Sequence, residues 1–152
     1  MNDYSFNIPW DREVSIITYS IVIIFSLLCV LLSYQFLKKS NIYIAITLIT
    51  FVSTPIVAYI YSPKKYHIKN DNLIIERGIG SVKISLNNIM YASVLTKDQM
   101  KNTTRSFASG GLFGYYGAFN NSSIGSFKMY AGNYNDLILI KLTNGEKIVV
   151  SP

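Results

Sequence analysis

The chain has one cysteine, one histidine and only eight Asp or Glu residues in 152. Cys29 stands alone, which excludes a disulfide framework and a thiolate metal site; it reads as a small apolar side chain. His67 has no Cys or second His beside it, so no metal-ligand set forms, and it reads as a strand surface residue. The acids Asp71, Glu76, Asp98, Asp136 and Glu146 are isolated, mostly at turns, with no pair spaced for acid–base work. No Ser, Cys or Lys nucleophile has an identifiable base beside it. These absences point away from an enzyme and from a bound cofactor.

Charge is missing over two long stretches. Val14 to Leu37 carries none over 24 positions, and Ser40 to Pro63 none over another 24. Each is roughly 36 Å long as a helix, enough to cross a hydrocarbon core of about 30 Å with some tilt. Only Lys38, Lys39, Ser40 and Asn41 lie between, so the two helices form an antiparallel membrane hairpin, with spans at 14–37 and 42–62. Residues 1–13 form a polar leader. It is acidic and another span follows, so it is no secretory signal and the hairpin is retained. Trp10, Tyr34, Tyr43, Tyr59 and Tyr61 stand near the span ends, where amphipathic rings favour the headgroup level. Pro55 predicts a kink in the second helix, with Ser53 and Thr54 placed to satisfy the freed carbonyls. No Asp, Glu, Lys, Arg or His lies inside either span, which argues against a transporter and for an anchor. Lys38 and Lys39 flank the turn, against Arg12, Lys64, Lys65 and Lys69 on the other side, so both termini are expected in the cytoplasm.

Residues 1–63 sum to zero charge, and all six net positive charges lie beyond them, where eleven Lys or Arg face five acids. A basic domain tethered to a bilayer points to anionic headgroups, with Lys64, Lys65 and Lys69 as the expected lipid contacts. The scattered charges and lack of a recognition motif argue against nucleic acid. Nothing identifies a small-molecule substrate.

Beyond Pro63 the period shortens to two. Residues 66–69, 73–77, 82–86, 89–95, 124–131, 136–142 and 146–150 read as strands, and Asn144-Gly145 is a strong hairpin signal. Short strands at this spacing predict a small antiparallel sandwich or open barrel. Residues 96–135 are the least regular part and hold a Gly-rich aromatic block. Its glycines Gly110, Gly111, Gly114 and Gly117 lack the Lys and hydroxyl ending of a phosphate loop. Two readings stay open. The glycines permit bends and close backbone approach beside large rings. Alternatively, Leu112, Phe113, Tyr115, Tyr116 and Phe119 form a loop that meets a partner or dips into the bilayer interface.

Arg105-Ser-Phe107, Gly110-Gly-Leu-Phe-Gly-Tyr-Tyr-Gly117, Ile124-Gly125, Met129-Tyr130-Ala131 and the closing Ile148-Val-Val-Ser-Pro152 resemble the bacterial pleckstrin-homology (PH) domain family. The resemblance covers roughly residues 66–152, and two spans followed by the domain is a layout common among such proteins. It implies an α+β membrane protein: a two-helix hairpin, then two packed antiparallel sheets, without catalysis. It also implies a bacterial inner membrane location. A PH-like fold normally ends in a helix that plugs one mouth of the sandwich, and here Ser151-Pro152 closes the sequence. Either something else covers that mouth, such as a second copy or the membrane, or the sequence is cut short. The leading functional expectation is a non-enzymatic adaptor that docks a protein partner or copies of itself. The alternative is a reader of anionic lipid. Phosphoinositide recognition is not implied, because the turn Gly78-Ile-Gly-Ser81 has only Arg77 and Lys83 beside it.

Overall fold

A computed structural model describes residues 4–151. The chain runs β1 (Tyr4–Asn7), α1 (Arg12–Lys38), α2 (Ile42–Tyr61), β2 (Pro63–Lys69), β3 (Asn72–Arg77), β4 (Ser81–Ser85), a 3-10 turn at Leu86–Asn88, β5 (Ile89–Leu95), β6 (Thr104–Gly110), β7 (Tyr115–Asn121), β8 (Gly125–Ala131), β9 (Leu137–Leu142) and β10 (Lys147–Val150).

Both helices are long and apolar enough to cross a membrane. They are not core helices: almost none of either apolar window is buried within the chain, and Val30, Leu37 and Ile49 are largely exposed. Asp11 caps α1, its Oδ1 accepting the Val14 N–H at 2.7 Å, and Asn41 caps α2 through the Tyr43 N–H at 2.9 Å. Phe25 and Phe51 pack across the hairpin with ring centroids 4.9 Å apart. Hydroxyls within the spans satisfy themselves on their own helix: Ser26 donates to Val22 O, Ser33 to Cys29 O and Thr47 to Tyr43 O. Ser53 and Thr54 both donate to Thr50 O rather than to the carbonyl freed by Pro55, which is that of Phe51.

The strands form a four-stranded sheet, β1-β2-β3-β4, and a six-stranded sheet, β5-β9-β10-β8-β7-β6. The architecture is α+β and PH-like, with open sheets. Three features differ from the sequence-based expectation. Residues 4–7 of the supposed leader are a strand, paired antiparallel with β2 from Tyr4↔Ile68 to Asn7↔Lys65. The Gly-rich region is regular on both sides of its turn: β6 and β7 pair from Thr104↔Asn120 to Gly110↔Tyr115, with a bulge between Arg105 and Phe107. One pairing is parallel, β8 with β10.

Turn chemistry sets the hairpins. Asn70 and Asp71 both take positive φ (49° and 55°), as a two-residue connection between twisted strands demands, and residues of this type tolerate it. The central strands of the six-stranded sheet, β9 and β10, are buried on both faces. Ile138, Ile140, Leu142, Ile148 and Val150 meet Tyr66, Ile75 and Ile84 of the smaller sheet. Leu137, Leu139 and Val149 face the other way, joining Tyr115, Phe119, Phe127 and Met129 in a second cluster. Burial on both faces is why residues 137–140 of β9 and 148–150 of β10 read as unbroken apolar runs. That second cluster is covered by this chain itself: Trp10 and Val14 at the start of α1, and Met100 from the β5–β6 connection, close over it.

Candidate functional site

The site of interest is the junction where the hairpin meets the sheets. Helix α1 has 27 residues and α2 has 20. The difference of seven corresponds to Arg12–Thr18, the stretch of α1 laid against the β domain. Val14 is fully buried in the core. Thr18 is 2% exposed; its Oγ1 donates to Gly111 O at 3.2 Å and accepts the Phe113 N–H at 2.9 Å. Asp11 adds a second clamp, its backbone N–H donating to Gly132 O at 3.2 Å and its Oδ2 accepting the Tyr134 N–H at 3.0 Å.

The end of α2 is held as firmly. The last carbonyls of a helix have no partner within it. Here three consecutive ones are taken. Tyr116 Oη donates to Ala58 O at 2.6 Å, Ser62 Oγ to Tyr59 O at 2.8 Å, and the Ile79 N–H to Ile60 O at 3.2 Å. Ser62 is fully buried and Pro63 already belongs to β2, so no linker separates span from sheet. Because β1 pairs with β2, the segment before the hairpin and the domain after it lie on one side of the hairpin.

The Gly-rich block turns out to be the socket for both helices. Phe113, held at φ 59°, sets its ring between Trp10 (centroids 6.0 Å apart) and Tyr59 (5.2 Å, edge-on). Gly111 is where α1 presses closest: a Cβ there would stand 2.7 Å from Ile17 Cδ1. At Gly117 a Cβ would fall 2.4 Å from Phe107 O, a backbone atom on the neighbouring strand, so no side chain fits. Gly114 lies buried beside Ala131, and Gly110 lies under the Arg105 side chain.

The sequence-predicted loop residues therefore separate. Tyr115 and Phe119 point into the core, 7% and 4% exposed, and cannot form a free contact surface. Alternation along β7 puts them on the face opposite Tyr116. Burial, with the nearby charges of Asp11 and Glu13, pushes the Tyr115 hydroxyl well above the usual tyrosine range. Leu112, Phe113 and Tyr116 are partly buried against the hairpin. Of the predicted lipid contacts, Lys64 lies with its Nζ 3.3 Å from the Tyr59 ring centroid, and burial pulls its pKa down. Lys65 and Lys69 are exposed on the outer face of the smaller sheet, near His67, whose Nε2 is 2.8 Å from Glu76 Oε2.

Sequence reasoning missed two surfaces. One is β5, an edge strand of seven residues without a charge, on which Met90 is 56%, Tyr91 44% and Val94 74% exposed. An uncharged apolar edge is the signal it carried. The other is a groove of about 900 Å³ between the end of α2 and the β6–β7 hairpin. Among the described residues no cluster of His, Cys, Asp or Glu is placed to hold a metal ion.

No curated protein and no solved structure shows a significant match to this chain. The family described as "Bacterial PH domain" matches residues 64–152, more than half of the chain and the whole of it after the hairpin. With two sheets of the expected kind behind a pair of apolar helices, the chain belongs to the bacterial PH domain family.

Proposed function

We propose that this protein is a non-enzymatic membrane-anchored scaffold, whose PH-like domain is held in one orientation at the cytoplasmic face of a bacterial inner membrane and docks protein through its β5 edge. The observation that carries the reading is the occupied end of α2, where the Ala58 and Ile60 carbonyls are bonded to Tyr116 and Ile79 of the domain, Ser62 caps Tyr59 O between them, and no linker remains. A domain so joined cannot swing on a tether; its edges stand at a fixed height above the bilayer. Copies sharing one membrane then present β5 at the same height, and an uncharged edge strand meets its like without charge repulsion. A second copy is therefore the partner proposed first.

The test uses the full chain in proteoliposomes, with Cys29→Ser and Ser93→Cys so that β5 carries the sole thiol. A short bis-maleimide is expected to give a cross-linked pair, and Met90→Lys with Val94→Lys to abolish it. A monomer band in the parent protein, or a pair that survives both lysines, overturns the docking role of β5.

A further inference from the structure

The groove beside α2 lies apart from the β5 edge on which the scaffold reading rests. One wall is Val57 and Tyr61, from the last turns of a helix apolar enough to span a bilayer. The other is the uncovered part of the larger sheet, with Phe107, Leu112 and Tyr130. Phe107 is 89% exposed, on the open side of an otherwise well-packed sheet. At the groove's edge stands Arg77, the last residue of β3, its guanidinium carbon 5.9 Å from the Tyr61 ring centroid.

Arg77 is the anomaly. Its Nε is buried and has no hydrogen-bond partner, the one side-chain atom of this kind among the described residues. A buried donor left unmade costs roughly 1–3 kcal/mol, so native structures rarely leave one without a ligand, an ion or a water to meet it. The ion pairs among the described residues join His67–Glu76, Lys101–Asp98 and Lys128–Glu146; none supplies Arg77 with a carboxylate. A planar guanidinium offers paired donors that match a phosphate, and its positive charge calls for an anion.

We propose that this groove is a binding site for one anionic glycerophospholipid, its phosphodiester on Arg77 and its acyl chains against Val57, Leu112 and Phe107. Three observations converge on a lipid. One wall is the last turns of a helix apolar enough to span a bilayer, at the end where headgroups meet acyl chains. The lining is mainly apolar, which a free phosphate or a sugar phosphate would leave unused. Two arginines line the groove, Arg77 and Arg105, and no ion pair among the described residues neutralises either, which favours an anionic headgroup over a zwitterionic one. Lys64, Lys65 and Lys69, the contacts expected from the sequence, do not line it.

The experiment takes the full chain, delipidated in maltoside micelles, and measures lipid retained per chain by native mass spectrometry. The probes are dioleoyl phosphatidylglycerol, dioleoyl phosphatidylcholine and soluble glycerol 3-phosphate. One phosphatidylglycerol per chain is expected, in preference to phosphatidylcholine, with glycerol 3-phosphate failing to displace it. Arg77→Gln should weaken retention about tenfold, the loss of one charge-assisted contact. Should circular dichroism show that variant unfolded, Phe107→Asp decides. It changes a side chain in solvent and sets a negative charge at the mouth, and it too should weaken phosphatidylglycerol retention. Equal retention of the two lipids, displacement by glycerol 3-phosphate, or unchanged retention in folded Arg77→Gln or in Phe107→Asp overturns the proposal.

Discussion

The hydroxyl of Thr18, a residue of the first helix, accepts the backbone N–H of Phe113, 95 positions later, at 2.9 Å. The same hydroxyl donates to Gly111 O, so one side chain holds both ends of a strained turn. The Phe113 ring meanwhile packs on Trp10 and Tyr59. Hairpin and domain are thus a single packed unit.

That arrangement predicts a specific cost for losing the hydroxyl. Thr18→Val keeps the volume but leaves a buried N–H and a carbonyl without partners, which should destabilise the chain by about 1–3 kcal/mol. Thr18→Ser should retain most of the stability. Thermal unfolding of the full chain in detergent, followed by the β-sheet circular dichroism signal, reads both. Equal behaviour of Val and Ser would show that the hydroxyl does not hold the turn.

A second prediction separates the docked part of α1 from its span. Val14 is fully buried in the core, whereas Ile23, nine residues on, is 59% exposed. Val14→Ala should cost on the order of 1–3 kcal/mol. Ile23→Ala should cost far less, because lipid tails are as apolar as the side chain they replace. If the two variants melt alike in the same assay, α1 is not docked as described.

The third prediction concerns alkaline pH. Tyr66 ties the two sheets together, its hydroxyl donating to Tyr130 O and accepting the Ser151 N–H at 3.1 Å. Burial pushes its pKa up to about 12, against 10 for an ordinary tyrosine. The unfolded chain therefore loses this proton first as pH rises, and folding is favoured by keeping it. The contribution is whole below pH 10 and fades as pH climbs through 12. Tyr115, also raised, acts in the same direction. Unfolding midpoints of the full chain should fall between pH 10 and 12, and less steeply in Tyr66→Phe. A flat profile over that window would refute the assignment.

Much of this was legible along the chain. Charge-free runs of 24 residues have few other meanings in water or lipid, and Asn144-Gly145 between apolar runs gives the β9–β10 hairpin, with Gly145 at φ 87°. The β6–β7 pair was hidden because its residues are small or aromatic, with glycines at 110, 114 and 117 breaking the alternation that reveals strands. Tyr4–Asn7 escaped notice because four residues carry no period, and they are a strand only because β2 offers an edge. The burial of Tyr115 and Phe119 was hidden for a related reason: a run of Leu, Phe and Tyr looks the same whether it meets a partner, a bilayer or its own helices.

The sequence by itself determined the two long apolar helices, the shift to short strands after Pro63 and the family, since each rests on local composition, period or motif. The tertiary structure decided what those parts do to one another. It showed that the start of α1 covers the core, that the end of α2 is bonded into the sheets, and that Arg77 Nε lacks a partner. Such contacts join residues as far as 123 positions apart, as in Asp11 with Tyr134, and no local pattern encodes which distant surface a buried side chain will meet.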